Sequence, residues 1–591
     1  MARHHHLQAA ALLAGVLSFS VQAEEKPDFV DPFSLIDAKG TQHDLAYYEK
    51  DEETLAIALI AHSLEDEPLA DRASRWQELA SRAQGAGARL WWINVDDTPD
   101  ADQIAAAMEA FGAPILLDPE QIVTRNASFT HVGEFALVDP EDQTVVARGL
   151  IGDGTALRNA FRGFVGDAPE SRESNEGATW DHATKIAYKD VPEVPNYSDH
   201  IGPLLRDNCA DCHRDGGVAP FALTSYRKAR GWSEMMREVL MTRRMPPWQA
   251  DPAHGQFKND FSLTAEERRD IIAWIEAGSP RGEGPDPLES YTPIVPEWTF
   301  GEPDAIVEIP EQSVAAEGVF PYRYVRVQSP FDHDVWLSAV QVNPGNTSVL
   351  HHIIATALEP QPGGRPNRRH IAGYAPGMTA ERFPEGTARL LKANATLLFQ
   401  LHYTASGKDE IDRSTLGLYV MDQPPEKELR SGVIVHNRFQ IPPGERAHEV
   451  TDTHKFNEDV LLYAMNPHMH LRGKSMRYEA IYPDGQTETL LNVPNYHFGW
   501  QRNYHLAQPK FLPKGTELQV TAAWDNSELN PYNPDPSEVV KWGDQTFEEM
   551  FYASFQYTHA DDEELANGES PTLSPRARKF AQRLVFRALT R

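Results

Sequence analysis

Cysteine is almost absent from this chain of 591 residues: there are two, Cys209 and Cys212. A disulfide framework is therefore excluded, and packing has to hold whatever domains form. Beyond the N-terminal segment no stretch approaches the roughly 18 uncharged apolar residues that a membrane-spanning helix requires. Basic charge is in deficit, 55 Lys and Arg against 87 Asp and Glu, for a formal net charge of −32. Such a surface repels phosphate backbones, which argues against nucleic acid as a partner. No repeat short enough for a solenoid is visible. What is present is an ordinary hydrophobic content of 41%, enough for buried cores, and a length that predicts roughly three to five domains.

Residues 1–23 have a short basic start, an apolar run from Ala9 and a small-residue end, Val21-Gln-Ala23. They read as a secretory signal, so the mature protein is expected in the periplasm or secreted. The triplet His4-His5-His6 lies in the part that would be removed. Residues 25–168 alternate strand-like runs (Leu55–Ile60, Leu90–Val95, Glu134–Asp139) with helix-like ones (Asp71–Gly85, Ala101–Phe111), which predicts an α/β domain around a central sheet. A polar linker, about 167–195, precedes a helix-rich segment over 196–284. A second linker rich in Pro and Gly, 279–287, leads into alternating runs broken by turns, which predict β-sandwiches over 297–428 and 429–560. The tail 561–591 ends in Arg576–Arg591, with six basic residues and no acidic one. It fits an amphipathic helix that packs on the acidic body or docks to a membrane or partner.

The two cysteines stand in Cys209-Ala-Asp-Cys212-His213. Cys-x-x-Cys-His attaches c-type haem, because the thiols add to its vinyl groups while the adjacent imidazole reaches iron. A structural disulfide or a redox dithiol are the competing readings, but the pair follows a linker in a helix-rich segment. Met245, in Arg243-Arg244-Met245-Pro-Pro-Trp248, is the expected sixth ligand, since Pro246 disfavours helix at Met245 and should leave a loop thioether. Met235, Met236 and Met241 lie inside the helical run and read as packing residues. Leu263–Gly278 has a Thr cap, early acids and a terminal Gly; it resembles the closing helix of small c-type cytochromes.

Further on, His468 and His470 fall two apart in an alternating run, so both leave one face of a strand about 6.5–7 Å apart. One metal could accept both. His351 and His352 are adjacent and would point to opposite faces of a regular strand; they can share an ion only at a bend, a bulge or a strand end. His402 shares a face with Leu398 and Gln400. A thioether such as Met550 beside two imidazoles is soft enough to stabilise Cu(I), whereas three imidazoles alone could equally bind zinc.

Two resemblances rest on these residues. Asp31-Pro-Phe-Ser-Leu-Ile-Asp-Ala-Lys-Gly, Pro114-Ile-Leu-Leu-Asp and Phe135-Ala-Leu-Val-Asp-Pro resemble the thioredoxin-like redoxin family. Where that family carries its reactive cysteines this chain reads Ala61-His62-Ser63-Leu64, and the family's proline is missing from Phe129–Gly133. Without a thiolate there is no thiol–disulfide exchange, so this domain is expected to serve docking or structure. His351-His352, Leu401-His402-Tyr403, His468-Met-His470-Leu-Arg-Gly-Lys474 and Gly543–Met550, in that order, resemble the copper type II ascorbate-dependent monooxygenases, the family of dopamine beta-monooxygenase and the peptidylglycine hydroxylating enzyme. That resemblance implies two jelly-roll-like sandwiches: an electron-transfer copper on His351, His352 and His402, and an oxygen-activating copper on His468, His470 and Met550. The arginine, asparagine and tyrosine with which peptide-hydroxylating members hold a substrate carboxylate are replaced by Asn466, Tyr552 and Ser554, which disfavours peptide amidation.

The expectation is thus a multidomain chain: an α/β thioredoxin-like domain, an all-α cytochrome c domain and two all-β copper sandwiches. It would hydroxylate a C–H bond of a small organic molecule with O2, using two copper ions and one covalent haem c that delivers electrons in place of, or on behalf of, ascorbate and is recharged by a cytochrome or a quinol-linked donor. A copper/haem electron-transfer protein without hydroxylase activity, or a copper-binding assembly factor, are the alternatives.

Overall fold

The computed structural model describes residues 29–561, apart from 66–72, 98–99, 153, 165–182, 190–193, 293–295, 362–363, 377 and 379. The signal segment, most of the first linker and the basic tail lie outside the described residues. The chain is multidomain and largely β-sheet, with few helices.

The apolar runs of the N-terminal segment form a five-stranded sheet: β1 (Ala56–His62), β2 (Ala88–Asn94), β3 (Ile115–Leu117), β4 (Glu134–Val138) and β5 (Val145–Leu150). Their order is β3-β2-β1-β4-β5, the first three parallel and the last two antiparallel. Helices Ala73–Gly85, Ala101–Phe111 and Thr155–Phe164 join or follow these strands. Ala101–Phe111 starts where the Asp100 side chain accepts from the Gln103 backbone and stops where Gly112 turns left-handed. This is a thioredoxin-like arrangement, and β1, buried along its whole length, ends at His62, packed edge-on against Trp92 and Phe111, with Asn94 3.3 Å from its Nδ1.

Residues 197–276 contain only helices among their described elements, Gly202–Asn208, Tyr226–Gly231, Ser233–Met241 and Ala265–Glu276 after a first turn at Tyr197–Ile201. The last carries a capping box, Thr264 with Glu267. This segment shares one continuous apolar core with the thioredoxin-like domain. Arg268 bonds Glu120 at 3.1 Å, and Arg237 bonds Asp31 at 2.7 Å across the same boundary.

The first sandwich pairs a sheet of β6 (Arg323–Gln328), β7 (Leu350–Glu359), β8 (Asn367–Tyr374) and β9 (Thr396–Tyr403), in the order β6-β9-β7-β8, with a sheet built on Val335–Asn343 and Thr415–Val420. In the second, β10 (Arg430–His436), β11 (Val460–His468), β12 (Tyr504–Leu512) and β13 (Phe551–His559), in the order β10-β13-β11-β12, face a sheet of His448–Lys455, Glu517–Trp524, Gly473–Ile481 and Thr487–Val493. The strand Lys427–Glu428 still pairs within the first sandwich, and β10 begins two residues later in the second. Gln556 of β13 donates to Glu381 of the first sandwich at 2.6 Å, so the outward side of β13 faces that sandwich.

Two further contacts fix the assembly. Arg446 of the second sandwich forks onto Asp51 at 2.9 and 2.8 Å, and the Tyr47 hydroxyl donates to Asp525 at 2.6 Å, clamping the thioredoxin-like domain to that sandwich. On another side, the extended stretch after Met245 buries Trp248 and Ala250 in the second sandwich's core. It then runs along the edge strand β12, with Lys258 N–H donating to His505 O at 2.9 Å and Ala507 N–H to Gln256 O at 2.7 Å. An exposed edge is thereby paired and hidden.

Burial holds the pKa of His62 down to about 4, against a model-peptide value of 6.5. The unfolded chain therefore binds a proton between those pH values that the folded domain refuses. Stability contributed at this site is full above about pH 6.5 and falls, by on the order of 3 kcal/mol, as pH drops towards 4. Denaturant unfolding of His62→Gln, which cannot titrate, is expected to lose that acid limb while matching the parent near neutral pH.

Candidate metal centres

The turn before β7 is pinned from several sides. Gly345 and Asn346 donate their backbone N–H groups to Ser414 Oγ and Asp412 Oδ1 at 3.1 and 2.8 Å. A Cβ on Gly345 would meet Arg413 N at 2.4 Å, so only glycine fits. Just after this turn the register between β7 and β9 shifts, from Leu350↔Tyr403 to His352↔His402. The extra residue is His351. The irregularity that adjacent histidines need in order to share an ion is therefore present, and it brings His351, His352 and His402 together with one ligand nitrogen from each, all within 4.8 Å of one another. Tyr322 closes over the group, its ring centroid 5.3 Å from His352 and 4.8 Å from His402.

His352 and His402 are buried, and His352 Nε2 and His402 Nδ1 have no hydrogen-bond partner. A buried polar atom without a partner is costly, and with the Nδ1 atoms of His351 and His352 3.4 Å apart the group offers donors that a cation would satisfy. Burial, reinforced by the neighbouring imidazoles, holds His351 at about 3, and burial with His468 nearby holds His402 at about 4. The rings are neutral, as metal ligation requires.

The second group is positioned by hydrogen bonds that select one nitrogen of each ring. His470 Nδ1 lies 3.1 Å from the Glu548 carbonyl, which can only accept, so Nδ1 carries the proton and Nε2 is left for a metal. His468 Nδ1 lies 2.7 Å from Gln501 Oε1, and the Gln501 amide is oriented in turn by donating to Phe498 O at 3.2 Å. His468 thus also keeps Nε2. Burial lowers its pKa to about 4 and lowers that of His470 well below 6.5. The register between β11 and β13 ends with His468 paired to Tyr552; His470 and Met550 lie just beyond it, where both backbone N–H groups donate to Glu549.

Glu549 fixes that end of the ladder. Fully buried, its carboxylate accepts from the backbone of His470 at 2.9 Å, Arg472 at 2.7 Å and Met550 at 3.2 Å, and from the Trp524 indole at 2.9 Å. Burial raises its pKa to about 7 despite these donors. Arg472, 1% exposed, ties the same loop by donating to Phe547 O at 2.8 Å.

The two groups, expected as separate centres, adjoin. Phe498 stacks on His351 at 4.9 Å and 14°, and meets His470 edge-on at 5.8 Å. Asn466 donates to Arg502 O at 2.8 Å, and Tyr552 lies 6.1 Å from His468, so two of the residues at the carboxylate-clamp positions do line this region. Phe498, Gln501 and Tyr322 carry no spacing signal, whereas Glu549 falls within the run Gly543–Met550.

In the helical segment, His213 Nδ1 lies 3.1 Å from Phe221 O and so donates, leaving Nε2 for iron. The Phe221 ring packs on His213 at 4.4 Å and on Trp232 at 4.2 Å. A cavity of about 290 Å³, lined by Ala210, Arg214, Leu223, Leu288 and Tyr291 among others, adjoins the Cys-x-x-Cys-His run. Cys209 and Cys212 are not bonded to each other, and Cys212 is exposed. Helix Ser233–Met241 ends four residues before Met245, which lies in the loop beyond it. The two free thiols and the open Nε2 of His213 are the donors that a covalently held haem would use; the cavity is lined by neither the cysteines nor His213 nor Met245.

No family model matches the chain, and no curated protein does. Among solved structures, the chain is similar to a hypothetical protein from Sinorhizobium meliloti 1021 (18% identity, 29% of this chain and 98% of that one, TM-score 0.25). It is similar also to a thiol:disulfide interchange protein from Bacteroides sp. (18%, 25% and 95%, 0.21) and to peroxidoxin BcpB from Mycobacterium tuberculosis (17%, 24% and 98%, 0.21). No activity is assigned to this chain from them.

Glu549→Ala leaves four N–H donors without their acceptor, at a cost of roughly 3–5 kcal/mol, and frees the backbone that aims His470 and Met550. Thermal melts should show the loss. Metal titration should show the second group failing to bind while His351, His352 and His402 still take one ion.

Proposed function

We propose that this chain is an exported copper monooxygenase that hydroxylates a C–H bond of a small organic molecule with O2. The observation that carries the reading is the convergence of His351, His352 and His402 on one point, with buried, unpartnered nitrogens at two of them. The second copper would take His468 and His470, whose rings adjoin the first group, with Met550, the residue after Glu549, as the softer donor. Copper bound at these sets would supply one-electron chemistry and O2 activation; a haem on Cys209, Cys212, His213 and Met245 would supply one-electron transfer. Met550 separates the second set from a zinc site, since a thioether suits Cu(I) and a hydrolytic metal has no need of it.

The protein's own contribution is orientation and exclusion. Glu548 and Gln501 hold the protons of His470 and His468 on Nδ1, so each ring offers a fixed nitrogen without paying for reorganisation. Tyr322 and Phe498 wall the two groups with aromatic surface, which keeps bulk water off the histidines. Asn466 and Tyr552 bring polar groups to the neighbourhood of His468, and the Arg368 guanidinium lies within range of Tyr552. The thioredoxin-like domain, without cysteines, acts as a bracket: it shares its core with the haem segment and is clamped by Arg446 and Tyr47 to the second sandwich.

Copper analysis coupled to O2 uptake across a panel of aliphatic and benzylic substrates tests this reading. Two copper ions per chain and substrate-dependent uptake with a hydroxylated product are expected, and Met550→Ala should lower turnover about a hundredfold or more while sparing the first site. Full turnover in Met550→Ala would remove the oxygen site from this position. Haem and copper that exchange electrons with no product would make the chain an electron-transfer protein.

A further inference from the structure

One loop touches His351, His468 and His470 on one side and the stretch that follows Met245 on the other. Residues 494–503 connect the strand Thr487–Val493 to β12. Within them Phe498 lies between His351 and His470, and Gln501 bonds His468. The other side of the loop meets the haem-bearing segment. The Arg502 guanidinium sits 4.7 Å from the centroid of Phe261 and 5.2 Å from that of Trp500. Asn259 donates to Asn503 O at 2.8 Å and accepts from His505 N–H at 3.0 Å. Trp248, three residues after Met245, packs on Tyr504 at 4.8 Å.

Electrostatics agree with this placement. Arg502 is within range of Cys212, and the Arg244 guanidinium, next to Met245, adds to burial in holding His497 below its usual pKa. The loop is also fixed. Tyr496 exchanges hydrogen bonds with the Met469 backbone at 3.1 and 2.8 Å, between the two histidines of the second group, and His497 Nε2 lies 3.1 Å from the Tyr532 hydroxyl.

We infer that the loop His497–Arg502 is the junction coupling the haem-bearing segment to both histidine centres, with Gln501 the link to His468 and Phe498 the link onward from His470 to His351. The inference rests on the copper and haem reading above. It places electron entry at the second centre, with the first centre reached across Phe498. In each event one electron leaves ferrous haem, which becomes ferric, and reduces one cupric ion to cuprous; an external one-electron donor restores the haem. Gln501 and Phe498 are positioning residues.

The test uses the full-length, haem-containing protein loaded with copper(II). The haem is reduced with substoichiometric dithionite, and its absorbance is followed as the electron moves on. Metal content is measured in every sample. In the parent protein, haem reoxidation should be independent of protein concentration and biphasic. Gln501→Leu should slow the fast phase about ten- to hundredfold at full copper occupancy, the range seen when a ligand's supporting hydrogen bond is removed. Gln501→Glu, which keeps an acceptor for His468 Nδ1, should restore it. Phe498→Leu should slow only the second phase. Fully copper-loaded Gln501→Leu and Phe498→Leu proteins with parental rates would overturn the junction and leave the functional reading standing. A parent protein that binds no copper would overturn both.

Discussion

Imidazole nitrogens buried without a hydrogen-bond partner are the constraint on which the rest of this structure depends. Water would satisfy them if it could reach, and a protein that needed only stability would put carbon there. Instead a β-bulge at His351 turns two adjacent side chains into one pocket, a cross-strand neighbour supplies His402, and Tyr322 covers the group. Desolvation keeps these rings neutral, so the same burial that is costly to the apoprotein readies the donors for a cation.

The second group is organised differently, and the difference has chemical content. Its rings are aimed by named acceptors, Gln501 and the Glu548 carbonyl, and its backbone by the Glu549 carboxylate with four donors. A buried acid in that role is a strong organiser because each donor depends on it. The buried Met550 joins the same unit through its backbone N–H. One centre is thus gathered by strand geometry and the other by a polar network; Phe498 touches both, and His468 also lies near His402.

Much of this was legible in the residues themselves. The uninterrupted apolar run at β1, the capped helix Ala101–Phe111 and the capping box at Thr264 follow from local rules of periodicity and end chemistry. So did the requirement for an irregularity at His351-His352, because a two-residue period forbids adjacent side chains from sharing a face. The loop residues Phe498 and Gln501 were not legible. Their importance comes from contacts with residues far away in sequence, and a Phe or Gln in a turn carries no periodic signature. The pairing of residues 256–259 with the edge of β12 was hidden for the same reason: backbone hydrogen bonds to an edge leave little trace in side-chain pattern. Nor did anything in the text reveal that the thioredoxin-like domain shares a core with the helical segment, since both sides of such a boundary read as ordinary burial.

The central claim is that six side chains from two sandwiches hold two copper ions side by side. Anomalous diffraction at the copper edge from crystals of the copper-loaded, haem-containing protein tests it most directly. The account predicts two copper peaks per chain, one within bonding distance of His351, His352 and His402 and the other of His468, His470 and Met550. Copper peaks elsewhere in the chain, or none at these residues in protein that has taken up the metal, would contradict it.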